Sequence, residues 1–348
     1  MIKAIKAQFR RVWMLVFGER ERSDYLVQYV KFALACLFGR RSLVKQSWPG
    51  GQKSTSGDLV IFAHFDKDGV IHGFVLEYLE QLALAGRRII FVTNSPKFPD
   101  RQRTKLQGKV ETILWRANKG YDFGAYADGI KAAGDLGELQ SLLLCNDSVY
   151  GPVFPLASIF EQMSADTADM WSLTDSWDSH YHLQSYFLLF HKAVLRDAAF
   201  VRRWQKYIHV HSKSWVIRKH EIGLSKDAQK AGLRLRSLFR YRDLLDGFIT
   251  KIGNASILED TALVPSHRAF LKRIFDHAES GRPLNASHFF WDQLILAGYP
   301  FIKRELLQSN PMHIPSLYKW EQLLVAVSKY DTDLINQHLE TSMRDRFM

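Results

Sequence analysis

The run RANKGYDFGAYADG, residues 116–129, followed by LLLCNDSVYGP, residues 142–152, decides how this chain is to be read. The first places Gly120 and Gly124 around Asp122 directly after an apolar, strand-like stretch; the second closes another such stretch on Asn146, Asp147 and Ser148. Loops that leave the carboxyl edge of an open α/β sheet bring free backbone N–H groups and polar side chains together, and ligands bind there. An isolated Asn-Asp-Ser turn is ordinarily local turn chemistry. Two such turns at matching strand ends, with Gly120, Gly124 and Gly151 permitting close backbone approach, point instead to a site for a phosphorylated ligand.

Around these turns the chain alternates strand and helix signals. Residues 59–64 read as a strand, 71–85 as a helix closed by Gly86, and 88–93 as a second strand, which makes a parallel βαβ unit with a right-handed crossover. Further strands are expected at 112–115, 142–145 and 170–174, each followed by a polar loop. Beyond about residue 190 the pattern turns helical, most clearly over 193–208 and 215–231, and continues so through 288–298 and 300–311. The fold class is therefore α/β, a mostly parallel sheet flanked by helices with a helical C-terminal region. Three parts are expected: a basic arm over 1–53, an α/β body over 58–190, and a helical region over 191–348 packed on the same body. The polar stretch PGGQKSTSGD, 49–58, separates arm from body.

Of the formal net charge of +11, residues 1–53 carry +8, from eleven Lys or Arg against three acids. A charge concentrated in a terminal arm argues for attachment and against nucleic-acid binding. In residues 1–17 the apolar Ile2, Ile5, Phe9, Val12, Trp13, Val16 and Phe17 recur at helical spacing, which predicts a basic amphipathic helix. Residues 25–38 form a second apolar stretch, too short to span a bilayer and broken by Lys31, so the arm is expected to lie on a membrane surface. No signal-peptide pattern opens the chain. With Cys36 and Cys145 alone, both in apolar runs, a disulfide framework or cysteine metal site is not expected, and the reading is a cytoplasmic protein, peripheral on the inner face of the cytoplasmic membrane.

Asp66, Asp122 and Asp147 each follow a predicted strand, so a parallel sheet would bring them to one edge. Asp147 stands where a divalent ion bridging a diphosphate would be held. No P-loop, GxGxxG, HExxH or GxSxG pattern competes. Downstream, MWSLTDSWDSHYHLQSYFLLF, 170–190, interleaves aromatic and polar residues, as an acceptor sugar requires: flat apolar faces beside hydroxyl partners. Trp177, His182, Gln184 and Ser185 are the acceptor candidates. Asp175 is the first candidate for a general base and Glu221, in KHEIGLS, the second.

In order along the chain, AHFD (63–66), IIFVTNS (89–95), NKGYDFGAY (118–126), CNDSVYGPVFPL (145–156), MWSLTDS (170–176), HLQSYFLLF (182–190), HEIGLS (220–225) and FFWDQLILAGYPFIKRELLQSNP (289–311) resemble the rhamnan synthesis protein F family of bacterial polysaccharide glycosyltransferases. The resemblance covers roughly residues 58–312. It implies a GT-A-like, Rossmann-related fold and transfer of a deoxyhexose, rhamnose first, from a nucleotide-sugar donor such as dTDP- or GDP-rhamnose. The acceptor it implies is a glycan or lipid-linked glycan, as in O-antigen and other cell-envelope polysaccharides. On this reading the donor contacts are His64, Asp66, Thr93, Asn94, Asn118, Gly120, Asp122, Gly124, Asn146, Asp147 and Ser148. A divalent cation, Mg or Mn, would sit at Asp147, where Asn146 and Ser148 replace the outer carboxylates of the DxD pattern. A glycan-binding or scaffolding subunit without catalysis is the alternative.

Overall fold

All five strands expected from apolar runs form. A computed structural model describes residues 43–253 and 264–344, with 27, 29, 30 and 32–36 of the arm; the helix expected over 1–17 lies outside the described residues. The main sheet comprises β1 (Val44–Pro49), β2 (Asp58–His64), β3 (Arg88–Thr93), β4 (Thr112–Arg116), β5 (Ser141–Asn146), β7 (Met170–Ser176), β8 (His182–Leu183), β9 (Phe187–His191) and β10 (Leu235–Phe239). Its order is β1-β4-β3-β2-β5-β9-β7-β10, with β8 on β7. A separate ribbon pairs β6 (Val149–Tyr150) with β11 (Ile302–Lys303).

Strands β4, β3, β2 and β5 are mutually parallel, as are β7 and β10. β9 runs antiparallel between β5 and β7, so the sheet is mixed. The ten residues from the end of β7 to the start of β9 are too few for a parallel crossover, which takes a dozen or more.

Strand residues alternate between two cores. Val60, Phe62, Phe91 and Leu143 face the layer built from α1 (Gly73–Leu84) and the C-terminal helices. Leu59, Ile61, Val92 and Leu144 face α2 (Tyr121–Ala133), α3 (Ala198–Gln205) and a helix that continues from Lys213–Val216 through a π-helical stretch, Ile217–Ile222, into Gly223–Lys230. Burial on both faces is why these strands read as continuous apolar runs. The core under α1 extends to Tyr241, Phe290 and Ile335, so the C-terminal helices share it with the α/β body.

Three expectations are corrected. Residues 44–49, assigned to the helical arm, form β1, an edge strand antiparallel to β4 whose Lys45 and Pro49 are typical of edges. Residues 191–348 are not wholly helical, because β10 closes the other edge and β11 interrupts 300–311. The helix expected over 193–208 also restarts at Asp197, whose Oδ1 accepts from Ala199 N (3.0 Å) and Phe200 N (2.8 Å) and caps α3.

Gly129 lets α2 lie directly on the sheet: a Cβ there would stand 2.3 Å from Ile61 Cγ2 and 3.2 Å from Val92 Cγ2. Alanine would gain up to about 1 kcal/mol of helix propensity, but overpacking costs about 1–3 kcal/mol. Gly129→Ala is therefore expected to lower the urea midpoint, and a rise would show that propensity wins.

Candidate active site at the carboxyl edge of the sheet

The chain lays β2, β3 and β4 outward in succession, then returns to place β5 on the opposite flank of β2. This reversal opens a crevice between the carboxyl ends of β2 and β5, where open α/β sheets bind ligands. Ala63 is in register with Asn146, and Asp147 N donates to Ala63 O (3.2 Å), so the Asn-Asp-Ser turn starts at that crevice.

The facing turn, 117–124, is shaped by Arg116. Its buried guanidinium donates to Asp128 Oδ2 (2.5 Å), Asn94 Oδ1 (2.8 Å), Lys119 O (2.8 Å) and His209 Nδ1 (3.2 Å). Gly124 has no room for a side chain: a Cβ would meet Lys119 O at 2.3 Å and Arg116 Nη2 at 3.0 Å. Gly120 takes the left-handed conformation (φ 83°) that starts α2, and Tyr121 follows at φ 53° with its ring stacked 5.0 Å from His211. The first turn of α2 then presents Asp122 to the crevice.

Asn146 Nδ2 donates to Asp122 Oδ2 (2.8 Å), joining the two turns. Asn146 Oδ1 accepts from Ser148 N (3.1 Å) and Ser148 Oγ (2.6 Å). Burial, and then the neighbouring Asp147 carboxylate, push Asp122 up to about 6, against the pull of Asn146 and Lys303. Arg304 Nη1 donates to both Asp147 O (2.7 Å) and Asp147 Oδ2 (2.9 Å), and Arg304 N to Ser148 O (3.0 Å).

Behind Arg304, Nη2 donates to His338 Nε2 (3.5 Å), and His338 Nδ1 lies 2.7 Å from the Tyr150 hydroxyl. Burial and the adjacent guanidinium hold His338 down to about 3, so it stays neutral and accepts from Arg304. Beside Arg304, the Lys303 ammonium sits 3.5 Å above the Tyr186 ring. Burial lowers Lys303 to about 7, while Glu221 and Asp122 act to raise it.

The predicted donor residues divide. His64 pairs through Nδ1 with Thr93 Oγ1 (3.0 Å); its Nε2 is buried without a hydrogen-bond partner, within the fields of Asp147, Asp66 and Arg304. Asp66 caps its own turn, accepting from Asp68 N (2.9 Å) and Val70 N (2.8 Å), and pairs with His72 (3.3 Å). Asn94 braces Arg116 and reaches Tyr121 O (3.4 Å), and Asn118 is exposed. Asp122, Asn146, Asp147 and Ser148 therefore meet at the β2–β5 switch point, while Asp66, Thr93 and Asn94 support the turns around it.

The two base candidates have different surroundings. Asp175 Oδ1 accepts Tyr241 N (2.7 Å) at the start of the helix Tyr241–Gly253, and burial pushes the carboxyl above the usual aspartate range against that bond. Glu221 lies close enough to Asp122 and Lys303 to influence both. It receives Ser185 N and Ser185 Oγ, each at 2.9 Å, through Oε1. Gln184 is held by Thr174 Oγ1 (2.5 Å) and His182 Nδ1 by His180 O (2.8 Å). Trp177 is exposed, 5.1 Å from the Tyr181 ring, and offers a flat face to solvent.

Sequence reasoning missed Lys303, Arg304, Arg116 and His338. The first two stand in PFIKREL, where adjacent cations enter an otherwise apolar run. A divalent cation at Asp147 would have to compete with Arg304, which already donates to its Oδ2 and carbonyl oxygen. A cavity of about 940 Å³ lies elsewhere, between α2 and α3, with Lys131, Trp204, Lys206 and His209 in its wall.

A model of the rhamnan synthesis protein F family matches residues 89–348. The chain is 32% identical over 203 residues to the uncharacterized protein y4gN of Sinorhizobium fredii, covering 57% of this chain and 52% of that one. It is 32% identical over 218 residues to the virulence protein VirA of Vibrio anguillarum, covering 60% of this chain and 66% of that one. It thus spans about half to two thirds of the length of these curated relatives. Among solved structures it is similar to residues 1–349 of S. aureus TarS (13% identity, 83% of this chain and 91% of that one, TM-score 0.36). It is also similar to the mannosyltransferase PcManGT from Pyrobaculum calidifontis in complex with GDP-Man and Mn2+ (12% identity, 90% and 89%, TM-score 0.31).

The folded chain holds the Asp122 proton more tightly than the unfolded chain, where an aspartate titrates near pH 3.9. Its contribution to stability is thus full below that value and is lost as pH rises to about 6. Asp122→Asn, which can still accept from Asn146, is expected to raise the urea midpoint at about pH 7.5 and change it little at about pH 4. An equal effect at both would contradict the assignment.

Proposed function

We propose that this chain, which belongs to the rhamnan synthesis protein F family, is a glycosyltransferase acting on a nucleoside-diphosphate sugar and a glycan hydroxyl. One observation carries the reading: at the switch point between β2 and β5, the turns bearing Asp122 and Asn146–Ser148 meet the cationic pair Lys303 and Arg304. Carboxylate and amide groups suit ribose and sugar hydroxyls, and open α/β sheets bind ligands at such a switch point. The finer reading is a GT-A-like enzyme that moves a deoxyhexose, rhamnose first, from dTDP- or GDP-rhamnose to a cell-surface polysaccharide.

In this mechanism the acceptor oxygen attacks the anomeric carbon as the bond from that carbon to the diphosphate oxygen breaks. The nucleoside diphosphate leaves with the bonding electrons, and the acceptor proton passes to Glu221. Asp175 serves the fold instead, since its carboxylate holds the first N–H of a helix. The exposed Trp177 ring, beside the half-buried Tyr181 ring, would provide a sugar-stacking surface.

The arm is proposed to rest on a membrane surface. Val27, Tyr29, Val30 and Leu34 are exposed, while Tyr29 and Phe32 pack on Trp215 at 5.5 and 4.8 Å. Among the described residues no helix is long and apolar enough to cross a membrane. Nearby cations would add about 1 kcal/mol each on an anionic surface.

Incubation with dTDP-rhamnose, GDP-rhamnose and other sugar nucleotides plus a glycan acceptor is expected to give transfer with one donor. Neither transfer nor donor hydrolysis with any would leave the glycan-binding subunit as the reading. Glu221→Gln keeps an acceptor for Ser185 but removes the base, so kcat should fall about 10²–10⁴-fold with the donor KM little changed. On anionic vesicles, Val30→Asp combined with Leu34→Asp should reduce co-sedimentation, and unchanged sedimentation would refute membrane contact through this face.

A further inference from the structure

We propose that Lys303 and Arg304 bind the donor diphosphate and neutralise its charge as it leaves, so that the site works without a divalent cation. This rests on the glycosyl-transfer reading and names how that site handles phosphate.

Several oxygens that a cation at this turn would compete for are already engaged. Asp147 Oδ2 and Asp147 O both accept Arg304 Nη1, at 2.9 and 2.7 Å. Asn146 Oδ1 accepts Ser148 twice, Asp122 Oδ2 accepts Asn146, and Ser148 O accepts Arg304 N. Magnesium demands near-octahedral oxygen geometry, usually through one or two carboxylates. The carboxylate in its place here is already compensated by a guanidinium, beside which a second, divalent charge would be repelled.

Donors, by contrast, are available. Arg304 Nε is buried without a hydrogen-bond partner, and a buried unsatisfied donor carries a desolvation cost that an incoming acceptor would relieve. The Lys303 ammonium faces the Tyr186 ring at 3.5 Å, a contact that leaves its N–H groups available to phosphate oxygens. Both cations leave one point, the end of β11, and β11 pairs with β6 immediately after the Asn-Asp-Ser turn, with Lys303 in register with Val149. The ribbon thus fixes them beside the crevice where the donor would enter. His338, kept neutral, orients the guanidinium without adding charge.

The charge arithmetic matches the chemistry. As the bond to the anomeric carbon breaks, negative charge grows on the diphosphate oxygen; the Arg304 guanidinium and Lys303, which a nearby phosphate holds in its ammonium form, stabilise it there without reorganising.

Calorimetry of the full chain with UDP, dTDP and GDP, each against its nucleoside, in EDTA and in excess Mn2+ tests this. One diphosphate is expected to bind with the same affinity, within about twofold, in both buffers, and its nucleoside far more weakly. Lys303→Met should weaken that diphosphate by about tenfold or more while leaving nucleoside binding unchanged, with Lys303→Arg restoring most of it. Binding that requires Mn2+ would overturn this inference and leave the glycosyl-transfer reading standing. Binding of no diphosphate in either buffer would overturn both.

Discussion

The buried guanidinium of Arg116 is the constraint on which the rest of the site depends. A cation taken wholly out of water must be paired and hydrogen-bonded, and removing its partner leaves an uncompensated charge worth about 3–5 kcal/mol. Arg116 meets the requirement with groups from four places: Asp128 on α2, Asn94 after β3, the carbonyl of Lys119 in the turn, and His209 from the segment after α3. Those bonds fix the turn between β4 and α2, and the turn fixes the direction in which α2 sets out. Asp122 faces Asn146 because α2 begins where Arg116 requires it to. Gly124 is glycine for the same reason, since the guanidinium and the Lys119 carbonyl occupy the space of a side chain.

How far this was legible in the sequence follows from what each residue answers to. The parallel strands were legible because burial on both faces writes a continuous apolar run, and the two turns because glycine, asparagine and aspartate cluster only where backbone must bend. β1 and β10 were not, since an edge strand mixes polar and apolar residues: Lys45, Gln46 and Ser47 in one, Arg236 and Ser237 in the other. β11, two residues long, was read through as helix because its identity comes from pairing with β6, a contact about 150 residues away in sequence.

The site shows the same division. Asp122 and Asp147 were found by position after strands, a local signal. Asp175 satisfied that signal equally, yet its carboxylate meets Tyr241 N, because β10 and the helix after it pack beside β7. The fate of that carboxylate is set by a chain segment 66 residues on, which no spacing rule reports. Arg304 meets Asp147 across 157 residues for the same reason. Local chemistry marks candidates, and long-range packing decides which remain available to a ligand.

Glu221 shows how a helix side chain can hold a segment that leaves the sheet. The segment between β8 and β9 has backbone N–H groups that must find acceptors as it leaves the sheet. Ser225 Oγ takes Leu183 N (3.0 Å) and Glu221 Oε1 takes Ser185 N (2.9 Å), so alternate residues of the segment bond to positions i and i+4 of one helix face. The helix acts here as a missing strand partner. Glu221 ends this row within the π-helical stretch Ile217–Ile222, and such insertions shift the phase of a helix, frequently at functional sites. Because the bonds from Ser185 N and Oγ converge on one carboxylate oxygen, Glu221 is held by the same contacts that hold the segment around Ser185. Whatever binds against Ser185 is thereby registered to Glu221, and through α2 and Asn146 to the turn that carries Asp147.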